Sequence, residues 1–325
     1  MDARFGPFRV LARIARGAMG ETFVAERAGP AGVVHRECLK RIFAEDSHRP
    51  DWIAMFQHEA RIAAGLRHQN IVALRDFGVE GGIWWQSLDL VDGTDLRTVL
   101  ADFRQSGAGV PLPIEVVLHI VAEIAKALAY VHVQCGADGR PLGLVHRDVT
   151  PSNILLSYRG EVRLSDFGIA KVTESERTRT DRMKGKESYI SPEHALGDGV
   201  DGRADLFALG VVMFELLTGE RPYDGENRNQ TMLNGVRGKR TCDLRASAPK
   251  GTPEAVLGIV EKLIASDREK RYPSAEALLD DVTAWAIPAG MVRLLGTTVR
   301  ACRPEVVVPR EGTLSEADVK AMARR

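Results

Sequence analysis

Three polar residues in a short stretch of this 325-residue chain carry the clearest chemistry: Asp148, Asn153 and Asp166. Asp148 and Asn153 stand five apart in VHRDVTPSNILL, where Pro151 forbids a regular helix, so both side chains can point out of a loop. Asp166 closes EVRLSDFG, whose alternation reads as a strand end. Two carboxylates and an amide on adjacent loop tips form a hard-oxygen site suited to magnesium, with one carboxylate spare to take a proton from a substrate hydroxyl.

The elements that must position these groups lie on both sides. Residues 8 to 27 alternate apolar and polar around a glycine-containing turn, which predicts a strand, a tight loop and a strand, with Gly17 and Gly20 able to bring backbone amides to phosphate oxygens. In VVHRECLKRI a period of two puts Cys38, Lys40 and Ile42 on one face. From Asp51 to Leu66 the apolar residues recur at helical spacing, and Glu59 interrupts that stripe beside Phe56, Ala63 and Leu66. A carboxylate in an apolar stripe needs a cation, and Lys40 is the natural partner. Residues 71 to 91 predict two strands joined at Gly81 and Gly82, Pro113 to His132 an amphipathic helix, and the run from Asp205 to Leu217 a helix apolar nearly all round.

HRDVTPSN followed by a strand and DFG resembles the catalytic loop and magnesium motif of protein kinases, in the compact style of the bacterial eukaryotic-like (Hanks-type) Ser/Thr kinases. The resemblance covers about residues 8 to 286. It implies an α+β, two-lobed kinase fold, with a small antiparallel five-stranded sheet plus one helix over residues 1 to 91, a mainly helical lobe over 92 to 286, and a tail of unassigned role from 287 to 325. ATP and Mg2+ are the implied cofactors, and a protein hydroxyl the implied acceptor. The resemblance makes Asp148 the group that orients the hydroxyl and takes its proton, Asn153 and Asp166 the metal ligands, and Lys40 the phosphate-positioning lysine paired with Glu59. The nucleotide would lie among Ala15, Gly17, Gly20, Thr22, Cys38, Leu88, Asp89, Val91, Asp95 and Leu155, with the hinge at Asp89 to Val91 bonding adenine and Asp95 near the ribose. Asp95 also reads as an acid at a helix start beside Thr94. Asp205 is implied to bond the backbone of the HRD turn, and Arg271 to pair with Glu193 of SPE.

Three positions depart from the family pattern. Ala15 replaces the first glycine of the phosphate loop, Thr150 stands where a catalytic-loop lysine is usual, and Lys186 stands where the activation segment usually has threonine. Thr150 and Lys186 read as a positional exchange: Lys186 would bring the missing cation to the transferring phosphoryl, with the Thr150 hydroxyl as its acceptor. Arg147, just before Asp148, is an uncompensated cation that a phosphothreonine at Thr180 or Thr178 would neutralise. The departures leave room for a pseudokinase that binds nucleotide as a signalling scaffold, and a similar catalytic loop occurs in small-molecule phosphotransferases.

Bulk properties exclude other classes. Lys plus Arg and Asp plus Glu both number 44, so no overall field attracts nucleic acid or anionic lipid. No stretch has the eighteen apolar residues of a membrane span, and Cys38, Cys135, Cys242 and Cys302 make no metal pattern, which fits a reduced cytoplasmic setting. Self-association, one copy phosphorylating another, is the partner expected besides ATP and the protein substrate.

Overall fold

The computed structural model describes residues 4–17, 20–106, 112–167, 186–285 and 290–302. Thr178, Thr180 and Asp181, in the stretch singled out for phosphorylation, lie outside them.

The strict alternation of GETFVAERA becomes strand β3 (Gly20–Ala28), with Glu21, Phe23 and Ala25 buried and the residues between them partly exposed. It lies between β2 (Phe8–Arg16) and β4 (Val34–Ile42) in an antiparallel sheet ordered β1-β2-β3-β4-β6-β5, where β1 is Arg4–Phe5, β5 is Leu74–Glu80 and β6 is Ile83–Asp89. The sheet therefore has six strands where the sequence predicts five, because β1, only two residues long, pairs with the start of β2 and is too short to show alternation. Phe8, Val10, Phe23, Ala25, Leu39 and Trp85 form its core, with Phe8 edge-on to Trp85. Charge is paired across neighbouring strands: Glu37, buried, accepts from Arg27 Nε and Nη2 and from the Ser87 hydroxyl.

Helix α1 (Pro50–Gly65) starts with Pro50 in its first turn, where a missing N–H costs nothing. Trp52, Met55, Phe56, Ala60 and Ala63 are its buried residues. Buried Gln86 of β6 donates to Phe56 O at 3.1 Å, which fixes the helix against the sheet. Residues 70 to 72 then run beside a second, three-stranded sheet made of β7 (Gly93–Asp95), β8 (Ile154–Ser157) and β9 (Val162–Leu164), with Leu164 N donating to Asn70 O and Val72 N to Leu164 O.

The larger lobe is built around α3 (Ile114–His132) and a central helix, Arg203–Thr218, both in the predicted places. Every residue of the central helix from Ala204 to Leu217 is buried. Burial of each leucine, valine or phenylalanine contributes roughly 1.5–3 kcal/mol, so this helix and α3 together carry much of the lobe's cohesion. It ends at Gly219, whose φ of 76° is the left-handed conformation a C-terminal cap requires and whose N–H donates to Glu215 O.

The tail contains an element that the sequence reading left unassigned. Met291–Cys302 is a helix whose Leu295 and Val299 are fully buried, packed against α2 (Leu96–Ser106), α3 and β8. Its approach to the β8–β9 turn depends on Gly160, where φ is +86° and a Cβ would stand 1.7 Å from Val292 O.

Candidate active site

Lys40 sits mid-strand in β4, paired with Thr22 on one side and Gln86 on the other, so its side chain reaches toward α1. Its Nζ donates to Glu59 Oε1 at 2.8 Å and to Asp166 Oδ1 at 2.6 Å. Burial alone would lower the lysine pKa, but the two carboxylates outweigh it and raise the pKa above the usual lysine range. Lys40 in turn holds the Asp166 carboxyl below its ordinary value, against burial. One ammonium thus ties the helix of the small lobe to the loop after β9.

The second cluster belongs to the loop that carries Asp148 and Asn153. Asn153 Nδ2 donates to Asp148 O at 2.8 Å and Asp148 Oδ2 at 2.9 Å, leaving its side-chain carbonyl as its acceptor end. Lys186 Nζ donates to Asp148 Oδ2 at 2.7 Å. The expected bond between Lys186 and Thr150 is not formed: Thr150 Oγ1 is buried with no hydrogen-bond partner among the described residues. The carboxylate of Asp148 is the stronger acceptor, and it captures the ammonium instead. Arg147 is half-buried, and its side chain makes no hydrogen bond or ion pair among the described residues.

The backbone here is strained and held from beneath. Arg147 and Asp166 have φ of 63° and 55°, conformations that non-glycine residues adopt at a cost of about 1–3 kcal/mol. Asp205, 1% exposed, compensates at the first of them: its Oδ2 accepts from His146 N at 2.8 Å and its Oδ1 from Arg147 N at 2.7 Å. His132 Nε2 lies 2.8 Å from the same Oδ2. Burial pushes the Asp205 carboxyl up, but His132 and His146 bring it below its ordinary value. The sequence reading missed His132, which is 73 residues away and signalled by nothing local. At the second strained residue, the His146 ring packs on Phe167 at 4.6 Å and reaches Ser165 O at 3.2 Å, so HRD and DFG brace each other.

The residues expected at the nucleotide site lie on β2, β3, β4, β6, β7 and β8 and the segments that join them. Cys38 pairs with Leu88 and Val24, and burial, reinforced by Asp166, pushes its thiol up to about 12, so it stays protonated. Leu155 is half-buried between fully buried Ile154 and Leu156. Ala15 pairs with Thr22 beside an irregularity in β2, and Gly17 N donates to Gly20 O at 2.8 Å. Gly20 cannot carry a side chain, since a Cβ would lie 1.9 Å from Arg41 O. At the hinge, Val91 follows Asp89, whose N donates to Ala73 O and whose carboxylate accepts from Arg75 at 2.7 Å and Arg163 at 3.1 Å. Asp95 caps α2, accepting from Thr98 N at 2.9 Å and Thr98 Oγ1 at 3.0 Å, so its capping reading holds.

Glu193 and Arg271 meet as expected, with paired bonds of 2.8 and 2.9 Å.

Comparison with known proteins agrees with this geometry. The family described as "Protein kinase domain" matches residues 8–282. The chain is 39% identical to the tyrosine-protein kinase MasK of Myxococcus xanthus over 277 residues, 85% of this chain and 42% of the relative. It is 32% identical to the serine/threonine-protein kinase PrkC of Bacillus subtilis, over 85% of this chain and 40% of the relative. The chain thus spans about two fifths of the length of these curated relatives. Among solved structures, the PknI kinase domain of Mycobacterium tuberculosis superposes with a TM-score of 0.64 at 28% identity, covering 87% of this chain and 98% of that domain.

Proposed function

The chain belongs to the protein kinase family, and from that premise we propose that it transfers the γ-phosphoryl group of MgATP to a serine or threonine hydroxyl of a protein. The observation that carries this reading is Lys40 held at once by Glu59 and Asp166, at 2.8 and 2.6 Å. That bridge aligns the phosphate-positioning cation with a metal-binding carboxylate.

In this reading Asp148 accepts the hydroxyl proton while the hydroxyl oxygen bonds to the γ-phosphorus and the bond to the β–γ bridging oxygen breaks, releasing ADP. Asn153 and Lys186 fix the Asp148 carboxylate, and Asp205 fixes the loop that bears it. Lys186 also supplies the cation beside the transferring group that a catalytic-loop lysine supplies elsewhere, which supports half of the expected exchange with Thr150. The Asn153 carbonyl and the Asp166 carboxylate are hard oxygens of the kind magnesium shares with phosphates, so these residues fit that ion. A magnesium ion held by Asn153 and Asp166 would supply positive charge to offset that of the phosphates. Cys38, Leu88 and Leu155 would enclose adenine, the backbone from Asp89 to Val91 would bond it, and Gly17, Gly20, Ala15 and Thr22 would cover the phosphates.

The choice of Ser/Thr over Tyr draws on PrkC, which is named a serine/threonine kinase, against MasK, which is named a tyrosine kinase. Autophosphorylation at Thr180 or Thr178, between two copies of the chain, belongs to the same proposal, as does a reduced cytoplasmic setting for its free cysteines. Labelled ATP and magnesium, with Asp148→Asn alongside, test it: label in the native protein only, recovered as phosphoserine or phosphothreonine, is expected. Equal labelling of both proteins would overturn the role of Asp148, and phosphotyrosine would reassign the acceptor.

A further inference from the structure

A polar cavity of about 110 Å³ opens beside the catalytic loop, walled by α2, the central helix and residues 186 to 189. Since one water takes up about 30 Å³, a carboxylate or phosphoryl group has room there. Four cations line it, Arg97, Arg104, Arg221 and Lys186, against one carboxylate, Glu215.

That carboxylate is already committed. Glu215 is buried, accepts from Arg104 Nη2 at 2.5 Å, and takes the Tyr189 hydroxyl on its other oxygen. A basic side chain entering the cavity would find no anion at liberty in its wall, and three further cations would repel it. Lys186 is held by Asp148 and Arg221 by Asp224, at 2.7 and 2.6 Å. Arg97, exposed on α2, makes no hydrogen bond or ion pair among the described residues. The cavity therefore keeps at least one unbalanced positive charge.

Thr150 gives an independent indication. The residue lines the wall, is 3% exposed, and its buried Oγ1 has no partner among the described residues. A buried hydroxyl left unbonded costs about 1–3 kcal/mol, which an anionic oxygen accepting its proton would recover. Thr150, Lys186 and Tyr189 also line the adjoining cavity that contains Asp148, so the two spaces are contiguous.

We propose that this cavity selects the protein substrate, taking an anionic side chain, carboxylate or phosphoryl, that flanks the acceptor hydroxyl. The inference rests on the kinase reading above. Because the cavity adjoins the one containing Asp148, the anionic residue would be a near neighbour of the acceptor in the substrate chain.

Peptides with one serine or threonine acceptor and a single flanking residue varied among aspartate, phosphoserine, alanine and arginine test it. Charge-assisted bonds predict a kcat/KM about tenfold or more higher for the acidic or phosphorylated peptide than for the alanine peptide, at one flanking position, with arginine below alanine. The aspartate and phosphoserine arms show which anion is preferred. Arg97→Glu should bring the acidic and alanine peptides within about twofold while the alanine peptide keeps its rate, because the exposed Arg97 touches no reacting group. Equal rates for acidic and alanine peptides at every position, or a preference unchanged in Arg97→Glu, would overturn the inference. Turnover of the alanine peptide, abolished in Asp148→Asn, reports the kinase reading separately; no phosphorylation of any peptide would remove both.

Discussion

Two ion clusters in this protein use similar groups to opposite ends. Arg271 meets Glu193 with both oxygens engaged, and its remaining N–H groups donate to the carbonyls of Ala265, Arg203 and Ser266. All five donors are used, the side chain is fully buried, and the guanidinium lies over the Phe207 ring at 4.8 Å. Lys40 places two N–H groups on two carboxylates, is 24% exposed, and faces Asp166, which is 47% exposed. The first cluster is closed: nothing can join it without breaking it. The second is open, with donor and acceptor capacity left exposed. Closed clusters hold a fold, whereas open ones can meet a ligand.

The largest effect should come from opening the closed cluster. Arg271→Met leaves the Glu193 charge buried without its cation, for an expected loss of about 3–5 kcal/mol in urea unfolding. A loss under about 1 kcal/mol would mean that the clamp is not a structural cluster. Asp205→Ala should fall between the two kinds of site: two loop amides lose their acceptor, at about 1–3 kcal/mol each, and both stability and turnover should drop. Loss of only one of the two would assign Asp205 to a single class.

Acid should reveal the same distinction. The Glu193 and Asp205 carboxyls are held below ordinary values of 4.5 and 3.8, so what they contribute is fully present above those values and is lost as pH falls through the lowered ones. The urea midpoint should therefore hold steady from neutral pH and fall below about pH 4. Lys40 has the opposite sign: its raised pKa contributes fully below its ordinary 10.5 and is lost only as pH rises through the folded value. A midpoint unchanged at pH 3 would contradict the carboxyl assignments. The smallest effect is expected at Thr150, whose hydroxyl bonds to nothing among the described residues. Thr150→Val should leave unfolding free energy unchanged or raise it by up to about 1 kcal/mol. A clear loss would indicate a hydroxyl bond in solution.

Most of the open cluster was legible in the sequence because its members lie in short, tightly spaced motifs. Glu59 stood out as a charge in an apolar stripe, and Lys40 as the cation able to answer it. The partner of Lys186 was misjudged because choosing between a hydroxyl and a carboxylate needs geometry: both lie in one loop, and only the fold places Asp148 Oδ2 within 2.7 Å of the ammonium. The clamp at Arg271 was reached only through family resemblance, since its partner is 78 residues away. The helix Met291–Cys302 had a readable signal, Val292, Leu295, Val299 and Cys302 at helical spacing, but its two successive threonines and central Gly296 weaken the pattern. Gly296 is there because a Cβ would come 2.6 Å from Tyr158 O, a contact that no local pattern announces.

Lys40→Met tests the central distinction most directly when phosphoryl transfer and unfolding are measured on the same preparation. The open cluster predicts a protein that stays folded, with a thermal midpoint lowered much less than in Arg271→Met, and a turnover lower by two or more orders of magnitude, about 3 kcal/mol in the transition state. Near-native turnover, or a collapse in stability like that expected of Arg271→Met, would contradict it.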